Sequence, residues 1–435
     1  MLEPLYTAAE MKAAEEGHNV EELMQRAGAA VAGEVLERFP DGRSFAAVCG
    51  EGANGGDGRI AAELLRSAGW EERSLGEADV VVDALFGTGF RPPPRDEAAA
   101  QIRAMNEAGR PIVAVDIASG VDASTGEVPG DAVDATVTVT FHGRKVGHEV
   151  APGRFRAGEV VVADIGLEHR PTEHARVTPE IVRLVPRRNP GDTKYTAGSV
   201  LVVGGSPGMT GAVCLTAEAA FRADAGYVTV AAPSESLPVI ETRLLEAVKR
   251  PLNEVWEAVD RAGGLAIGPG LGRDRKELVR RLLEETDLPA VVDADGLHEL
   301  EPFDREAPTV LTPHSGELGR LLGEESSWVD AHRLEALRRA VDRFGCVVVL
   351  KGAGTLVGAP GEGGLVAGGT SPLATAGTGD VLTGVVASFL AKGMEPRLAA
   401  AAAVRVHTDA VTASGRRSGL MASDLLEALP RVLDA

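Results

Sequence analysis

The chain alternates from end to end between short runs of β-branched residues and longer stretches rich in Ala and Leu, joined by glycine-rich turns. This alternation is typical of parallel sheets with helices on both faces, because parallel strands need a crossover connection. In the first half it predicts strands at 45–49, 79–86, 111–117, 135–141 and 158–167. In the second half it predicts strands at 198–205, 226–233, 264–270, 289–295, 308–314 and 346–352. The sequence therefore predicts two α/β halves.

A segment between the halves, 167–194, carries charge and proline and shows no strand pattern, so we interpret it as a connection. We place the linker at 171–192, which leaves domains at 1–170 and 193–435. Helices are predicted at 7–17, 20–38 and 59–67, and further ones begin near Asp380 and Pro396.

Charge and composition restrict the class of partner. The formal net charge of −20 disfavours nucleic acid and anionic membranes, although backbone amides can still bind a local phosphate. No basic segment followed by an apolar run opens the chain, and the apolar run 398–404 is too short to span a bilayer, so we expect a cytoplasmic protein. The three cysteines lack metal-site spacing and are expected to be reduced and buried: Cys49, Cys214 and Cys346.

A glycine-rich segment, GEGANGGDG at 50–58, directly follows the first predicted strand. Its spacing satisfies the G-x-G-x-x-G fingerprint, in which glycines let the backbone approach a pyrophosphate at a helix N-terminus. The NAD form also needs a second strand that ends in an acidic residue about 20 residues later, and 66–79 offers no convincing strand. On this pattern alone, a phosphate-binding loop and a tight strand–helix turn are equally compatible with the segment.

Oxygen-bearing side chains also stand at the ends of the next two predicted strands. Asp83 precedes a second glycine-rich turn, and Asp116 and Ser119 belong to the following strand end. Because ligands of open α/β sheets bind at the carboxyl ends of strands, these side chains should meet Asn54 and Asp57 in one crevice. Each Asp by itself is also compatible with a helix cap or a turn. Together their oxygens suit a hard cation.

In the second half the segment TAGTGD, 375–380, carries the most specific pattern. Gly377, Thr378 and Gly379 lead into Asp380 and a predicted helix. Free amides at a helix start can stabilise a transferring phosphoryl group, and the carboxylate can accept a proton from a hydroxyl. The alternative is an ordinary Asp near a helix N-terminus, but the close spacing of the glycines to Asp380 favours function.

Lys351 ends a buried strand and opens another glycine-rich turn, 351–355. The chain has only seven lysines. A lysine at such a turn suits a nucleotide phosphate, and an exposed lysine at a strand end is the alternative.

Further turns and side chains are predicted on the same edge of the second sheet. Glycine-rich turns at 203–212 and 266–272 follow strands, and His314 ends another. Asp293 and Asp295 are placed either to reach magnesium or to form a turn.

The motifs of the first half, NGGDG, DALFGTG and VAVDIASGVDASTG, resemble those of NAD(P)H-hydrate epimerases over about residues 1–170. The resemblance implies a Rossmann-like three-layer domain, with Asp116 as the catalytic acid/base and a potassium ion on Asn54, Asp83 and Ser119. The implied contacts to the hydrated dinucleotide are Ala53, Asn54, Gly55, Gly56, Asp57, Gly87, Thr88, Gly89, Phe90, Arg91, Pro92, Pro93 and Asp116.

The first half departs from this family at three places. Ala53 and Ala118 stand where the family usually has Asn and Pro, and the segment between Leu65 and Asp79 is shorter than usual. A non-catalytic dinucleotide-binding module therefore stays open as an alternative for this half.

The second half resembles ADP-dependent NAD(P)H-hydrate dehydratases of the ribokinase-like superfamily over about 190–430. The motifs that carry the resemblance are, in chain order, GGSPGMTGA, GPGLG, DADGL, LTPHSGE, LKGAGT and TAGTGD. The implied nucleotide-binding residues are Lys351, Gly352, Ala353, Gly354, Thr355 and Gly379. Those of the hydrate pocket are Ala212, Gly272, His314 and Asp380, with Asp380 as the base.

The two resemblances together imply one repair enzyme. The first half would interconvert the R and S epimers of NAD(P)H hydrate, and the second would dehydrate the S epimer with ADP and Mg²⁺. Phosphoryl transfer turns a hydroxyl into phosphate, a much better leaving group, which would explain a kinase fold in a dehydratase. We also expect a homo-oligomer. The alternative for the second half is a ribokinase-like kinase of a vitamin alcohol.

Overall fold

The computed structural model describes residues 1–435. The chain divides into two compact units. The N-terminal unit comprises Pro4–Arg176 and Asp330–Arg333, and the C-terminal unit comprises Met1–Glu3, Val177–Val329 and Leu334–Ala435. Each unit contains a mainly parallel sheet with helices, which confirms the predicted α/β class.

Helices and strands alternate through the first 177 residues. In chain order they are β1 (Leu2–Leu5), α1 (Ala8–Glu15), α2 (Val20–Arg38), β2 (Ser44–Cys49), α3 (Ala53–Ser67), β3 (Glu71–Glu72), β4 (Val80–Ala84), α4 (Asp96–Glu107), β5 (Ile112–Val115), β6 (Val137–Phe141), α5 (Val146–Glu149), β7 (Glu159–Ala163) and β8 (His174–Val177).

The sheet of the N-terminal unit has the strand order β3-β2-β4-β5-β6-β7, with all pairs parallel. Val80 and Val82 of β4 belong to an apolar cluster that includes α2 and α3, whereas Val81 belongs to a second cluster with Met105 of α4. Successive residues of a strand point to opposite faces, so a continuous valine run fits a sheet covered on both sides. The result is a three-layer domain.

The alternation continues after residue 177. In chain order the elements are β9 (Ser199–Val203), α6 (Thr210–Arg222), β10 (Tyr227–Ala232), α7 (Leu237–Arg243), β11 (Val248–Pro251), α8 (Val255–Val259), β12 (Gly264–Ile267), α9 (Lys276–Glu284), β13 (Ala290–Val292), β14 (Thr309–Leu311), α10 (Ser315–Leu322), α11 (Ser326–Ala331), α12 (Arg333–Phe344), β15 (Val347–Leu350), β16 (Thr355–Gly358), β17 (Leu365–Gly368), α13 (Thr378–Ala391), α14 (Pro396–Ser414) and α15 (Ala422–Leu433).

In the C-terminal unit these strands lie in the order β17-β16-β15-β14-β13-β12-β9-β10-β11. The pairs from β15 to β11 are parallel, and β15, β16 and β17 pair antiparallel. Helix α13 packs closely on α6, because a Cβ atom on Gly384 would lie 2.2 Å from the carbonyl oxygen of Thr216. This packing fixes the start of α13, where the predicted phosphate site lies.

Each of the eleven predicted strands overlaps a strand of the structure. Six further strands were not predicted: β1, β3, β8, β11, β16 and β17. Strand β3 lies in the segment where no strand was expected, and β8 lies inside the predicted linker. All six span four residues or fewer, and charged residues interrupt the apolar pattern in β1, β3, β8 and β11.

Two other expectations need correction. Helix α3 begins at Ala53 rather than at the predicted residue 59. Cys214 and Cys346 are buried, but the prediction was wrong for Cys49, which is half-buried.

None of the helices combines the length and the apolar character needed to cross a membrane.

Candidate active sites

The glycines of the 50–58 segment allow close packing of the backbone. A Cβ atom on Gly55 would lie 1.9 Å from the Gly50 carbonyl oxygen, and one on Gly50 would lie 2.1 Å from that of Leu85. A Cβ atom on Gly58 would lie 2.3 Å from the Cβ atom of Ala84. No larger residue fits at these positions, so the first turn of α3 presses against the end of β4. Asn54 and Asp57 are therefore carried on a helix, and both are buried.

A polar cluster joins the ends of β4 and β5. The Asp83 carboxylate accepts hydrogen bonds from the Ser119 amide at 2.9 Å and from the Ser119 hydroxyl at 2.6 Å. The Phe86 amide donates to the Ser119 hydroxyl oxygen at 2.9 Å, and the Asn54 side-chain amide donates to the Phe86 carbonyl at 2.9 Å. The structure thus brings together Asn54, Asp83 and Ser119, as predicted.

Asp83 is fully buried, and its hydrogen bonds come from Ser119 and from the Leu85 amide rather than from a cationic side chain. Burial raises the pKa of Asp83 to about 6, although these hydrogen bonds oppose the shift. A buried carboxylate without a positive partner is costly. This set of oxygen donors fits a hard cation.

Asp116 lies at the end of β5 with a left-handed backbone, φ 66°. One carboxylate oxygen, Oδ1, accepts from Lys145 Nζ at 2.5 Å, from the Thr140 hydroxyl at 3.0 Å and from the Phe141 amide at 3.4 Å. Burial acts to raise the pKa of Asp116, but the charge and hydrogen bond of Lys145 outweigh it and lower the pKa. Asp116 is thereby held as a carboxylate.

Lys145 and His148 were not predicted as site residues. Lys145 is completely buried, and its ammonium group also donates to the Thr140 hydroxyl and the Phe141 carbonyl. The Lys145 amide donates to His148 Nδ1 at 3.0 Å, so Nε2 carries the proton and donates to the Asp116 carbonyl at 2.9 Å. Burial lowers the pKa of His148 to about 3, so this histidine is neutral. It fixes the strained backbone of Asp116.

The predicted contact loop that follows β4 has a mixed environment. Gly87 lies against Asn54, since a Cβ atom there would be 3.0 Å from the Asn54 side chain. The rings of Phe86 and Phe90 stack with centroids 4.2 Å apart. Arg91 is exposed. The loop therefore touches the polar cluster through its first residues.

In the C-terminal unit the start of α13 has no side-chain cap. Gly377 takes the N-cap position with φ 88°, and no side-chain hydrogen bond satisfies the first amides of the helix. Asp380 lies in the first turn. Burial, followed by the negative charge of Asp293, raises the pKa of Asp380 to about 7, while Lys351 opposes the shift. The carboxyl is therefore balanced between its two protonation states near neutral pH.

Lys351 is held by a buried carboxylate. Its Nζ atom lies 2.6 Å from Asp293 Oδ1 and 3.8 Å from Glu317 Oε2. The other oxygen of Asp293 accepts from the Thr383 hydroxyl at 2.7 Å. Burial acts to lower the pKa of Lys351, but the charges of Asp293 and Glu317 outweigh it and raise the pKa. Lys351 is thus a fixed cation beside the start of α13, rather than an exposed lysine at a strand end.

The remaining predicted turns form a connected rim. The Gly272 amide donates to Asp295 Oδ2 at 3.0 Å, and the Ser206 hydroxyl donates to the Leu271 carbonyl. The Thr216 hydroxyl lies within hydrogen-bond distance of the carbonyls of both Ala212 and Asp380. The turns at 203–212 and 266–272 are therefore linked to each other, and helix α6, which follows the first of them, contacts the backbone of Asp380.

His314 caps α10. Its Nδ1 atom accepts from the Gly316 amide at 3.0 Å, and its own amide donates to Glu317. Nε2 therefore carries the proton, and the side chain is more than half exposed. The Lys351 amide donates to the Pro313 carbonyl, which joins this loop to the 351–355 turn. His314 thus has a structural role, and its exposed ring can also contact a ligand.

Fold and site define the class of protein. The C-terminal unit is an α/β domain of ribokinase type with Asp380 and Lys351 at an uncapped helix start. The N-terminal unit is a Rossmann-like domain with buried carboxylates at the ends of its strands. A ribokinase-like protein from Enterococcus faecalis shares the fold of the C-terminal part, with TM-score 0.54 at 24% identity, over 61% of this chain and 98% of that chain.

Comparisons with known proteins define the family. Residues 200–431 match the family model described as NAD(P)H-hydrate dehydratase, and residues 20–75 and 68–147 match that of the YjeF-related protein N-terminus. A bifunctional NAD(P)H-hydrate repair enzyme of Moorella thermoacetica is 37% identical over 94% of this chain and 92% of its own length. Its counterpart in Escherichia coli is 34% identical over 96% and 90%. The chain therefore belongs to the family of bifunctional NAD(P)H-hydrate repair enzymes.

A solved relative supports the assignment of the C-terminal part. The ADP/ATP-dependent NAD(P)H-hydrate dehydratase from Bacillus subtilis, co-crystallised with ATP and Mg²⁺, is 31% identical with TM-score 0.54, over 59% of this chain and 96% of that chain.

The two stretches that match the N-terminal family model overlap at 68–75, around the two-residue strand β3. The overlap lies in the segment between Leu65 and Asp79, where the sequence predicts a shortened chain.

Proposed function

We propose that the C-terminal unit dehydrates the S epimer of NAD(P)H hydrate with ADP, and that the N-terminal unit interconverts the R and S epimers. The arrangement that carries the proposal is Asp380, a carboxyl with pKa about 7, in the first turn of an uncapped helix and beside the cation of Lys351. The curated relatives bear the name of this bifunctional enzyme, which disfavours a vitamin kinase.

In the dehydratase, Asp380 accepts the proton of the hydrate hydroxyl while that oxygen takes the terminal phosphoryl group of ADP, and AMP leaves with the electron pair of the broken P–O bond. The amides at the start of α13 and Lys351 stabilise the negative charge of the transferred group. The turn 351–355 and Gly379 hold the nucleotide, and Ala212, Gly272 and His314 line the hydrate pocket. The C–O bond then breaks with phosphate as the leaving group, helped by the lone pair of the ring nitrogen. Loss of a proton from the neighbouring ring carbon to solvent forms the C=C bond of NAD(P)H, so that the sum is loss of water from the hydrate.

Magnesium fits the charge of this site. Three carboxylates act electrostatically on Asp380, and Lys351 opposes them: Asp293, Asp295 and Glu317. Such an excess of carboxylates would repel a nucleotide phosphate unless a divalent cation accompanied it. Both oxygens of Asp293 already bind Lys351 and Thr383, so Asp295 and Glu317 are the better candidates to hold Mg²⁺.

In the epimerase, Asp116 assists the loss and return of water next to the ring nitrogen. Asn54, Asp83 and Ser119 would hold potassium, which would supply a positive charge beside the buried Asp83 carboxylate. Residues 53–57 and 87–93 would contact the hydrated dinucleotide.

We also propose that the protein is a cytoplasmic homo-oligomer. Each subunit would contain domains 1–170 and 193–435, joined by the linker 171–192. Light scattering would measure the mass of the assembly.

The pH dependence of dehydration should show the titration of Asp380. Only the ionised carboxylate accepts a proton, so kcat/KM should fall as the pH drops through about 7. Initial rates measured across the neutral range with ADP at saturation test this expectation. A rate that does not change across this range would contradict the role of Asp380 as the base.

Nucleotide binding should depend on the space at Gly379. A methyl group there would lie 3.4 Å from Lys351 Nζ and 3.7 Å from Asp293 Oδ2, which the fold tolerates but which fills the proposed phosphate position. ADP with Mg²⁺ at about 100 times its Kd should stabilise the wild type by about 2.7 kcal/mol. Gly379→Ala should keep the Tm of the free protein and lose most of the ADP-induced shift.

Gly33→Ala, at a helix position with no atom within 4 Å of the new methyl group, is the matched control and should keep the shift. Equal ADP-induced shifts in Gly379→Ala and the wild type would place the nucleotide elsewhere.

A further inference from the structure

Asp57 is a buried carboxyl group that the chain leaves without hydrogen-bond donors. Its side chain is buried in the first turns of α3, with 8% of the residue exposed, and Oδ1 has no hydrogen-bond partner. A buried polar atom without a partner in a native structure calls for a functional explanation. The backbone on either side of Asp57 is closely packed, since Gly55 and Gly58 lie against the ends of β2 and β4.

The surroundings of Asp57 and Asp116 are opposite in kind. Asp116 receives an ammonium group, a hydroxyl and a backbone amide, which stabilise its negative charge. Asp57 receives none of these, and the charged groups that act on it are the carboxylates of Asp116 and Glu15. Two carboxyl groups whose environments separate in this way are the usual pattern of an acid and a base at one site.

We propose that Asp57 is the proton donor of the epimerase, a role beyond contact with the dinucleotide and one that rests on the epimerase function proposed above. Epimerisation needs water to leave from one face of the ring and to return on the other, so a donor and an acceptor are both required. Asp57 supplies the proton, and Asp116 receives one.

The step balances without a further reagent. The Asp57 carboxylic acid gives its proton to the hydroxyl oxygen of the hydrate, the C–O bond breaks, and its electron pair leaves with the water. The lone pair of the ring nitrogen forms a C=N bond. A water molecule then attacks the carbon from the opposite face, the C=N pair returns to nitrogen, and the proton lost by this water goes to Asp116. Exchange with solvent returns one proton to Asp57 and removes one from Asp116.

Burial and the neighbouring negative charges keep Asp57 protonated at neutral pH. Burial, and then the charges of Asp116 and Glu15, raise the pKa of Asp57 to about 8. Lys145 and His148 lie on the side of Asp116, where the lysine is bound to that carboxylate and the histidine is neutral. The donor and the acceptor are therefore in the required protonation states before substrate binds.

Asp57→Asn tests the proposal, because the amide keeps the shape of the side chain and has no acidic proton to transfer. The expected result is a fall of about 10²-fold in the kcat of epimerisation, much larger than any change in affinity for NADPH. Epimerisation is followed on one purified epimer by chromatography, and affinity by fluorescence titration. The dehydratase of the same chain should stay at the wild-type rate and so reports intact protein.

The pH profile separates proton donation from a structural role. The acid form of Asp57 is lost as the pH rises, so wild-type epimerisation should decline through about 8, and this decline should be absent from the residual activity of Asp57→Asn. Glu15→Gln removes one negative neighbour, which should lower the pKa of Asp57 and move the decline to lower pH while the maximal rate is kept.

Two failures are distinguishable. Wild-type protein that does not epimerise would remove the epimerase function itself. Wild-type protein that epimerises, together with an Asp57→Asn variant of equal rate or one that only loses affinity, would overturn the role of Asp57 as proton donor. A Glu15→Gln profile that coincides with the wild type would also count against it.

Discussion

Asp380→Asn should lower ADP-dependent dehydration of NAD(P)H hydrate by about 10²-fold or more, because the amide cannot accept the hydroxyl proton during phosphoryl transfer. The side chain keeps its shape in the first turn of α13, so the affinity for ADP should change little. The measurement is the initial rate at which NADH absorbance returns after ADP is added to the hydrate. Asp342→Asn, on the exposed side of α12, is the matched control and should retain the wild-type rate.

The pH dependence of the Tm gives a second test of the Asp380→Asn variant. The pKa of Asp380 is raised in the folded protein, so its protonated form stabilises the fold. This contribution is fully present below the unfolded pKa and is lost as the pH rises through about 7. Asp380→Asn does not suffer that loss, so its Tm relative to the wild type should be higher at alkaline than at acid pH. A variant with wild-type turnover would exclude Asp380 from the mechanism.

Asp116→Asn should lower interconversion of the hydrate epimers by about 10²-fold or more, because the group that exchanges protons with the reacting water is lost. With ADP present, the variant should consume the S epimer at the wild-type rate. About half of a mixed hydrate pool should then remain, and it should disappear only at the spontaneous rate of epimerisation. Chromatography of the two epimers during the reaction measures this directly.

The same change leaves the buried Lys145 without its carboxylate partner. Loss of one member of a buried ion pair costs about 3–5 kcal/mol, so the N-terminal unit should unfold at lower temperature. The double variant Asp116→Asn, Lys145→Met removes the unpaired charge and should recover stability without recovering epimerisation. Wild-type interconversion in either variant would show that Asp116 is not needed.

The central strands of both sheets could be predicted because buried parallel strands are continuous apolar runs, mostly of β-branched residues, as in Val80–Val82 and Val200–Val203. The start of α3 could not, because Asn54, Gly55 and Gly56 have poor helix propensity. Their helical conformation follows from the contact of Gly55 with Gly50, which the local sequence does not reveal.

Some residues of the candidate sites could also be predicted from the sequence, and others could not. Asp116 and Asp380 could be singled out because they stand at a strand end and a helix start, where ligands of α/β folds bind. Lys145 was missed because it reaches Asp116 across 29 residues of sequence, through packing that has no periodic signature. One signal was available: it is one of seven lysines and follows a buried strand closely, as Lys351 does.

The most direct test of the repair function is recovery of NADH from a mixture of its two hydrate epimers by the full chain, with ADP, Mg²⁺ and K⁺. Absorbance of NADH and release of inorganic phosphate are recorded together. We expect nearly all of the hydrate to return to NADH, in a reaction that needs ADP and releases phosphate as NADH forms. Absence of ADP-dependent recovery, or accumulation of a stable phosphorylated product instead of NADH, would contradict this function.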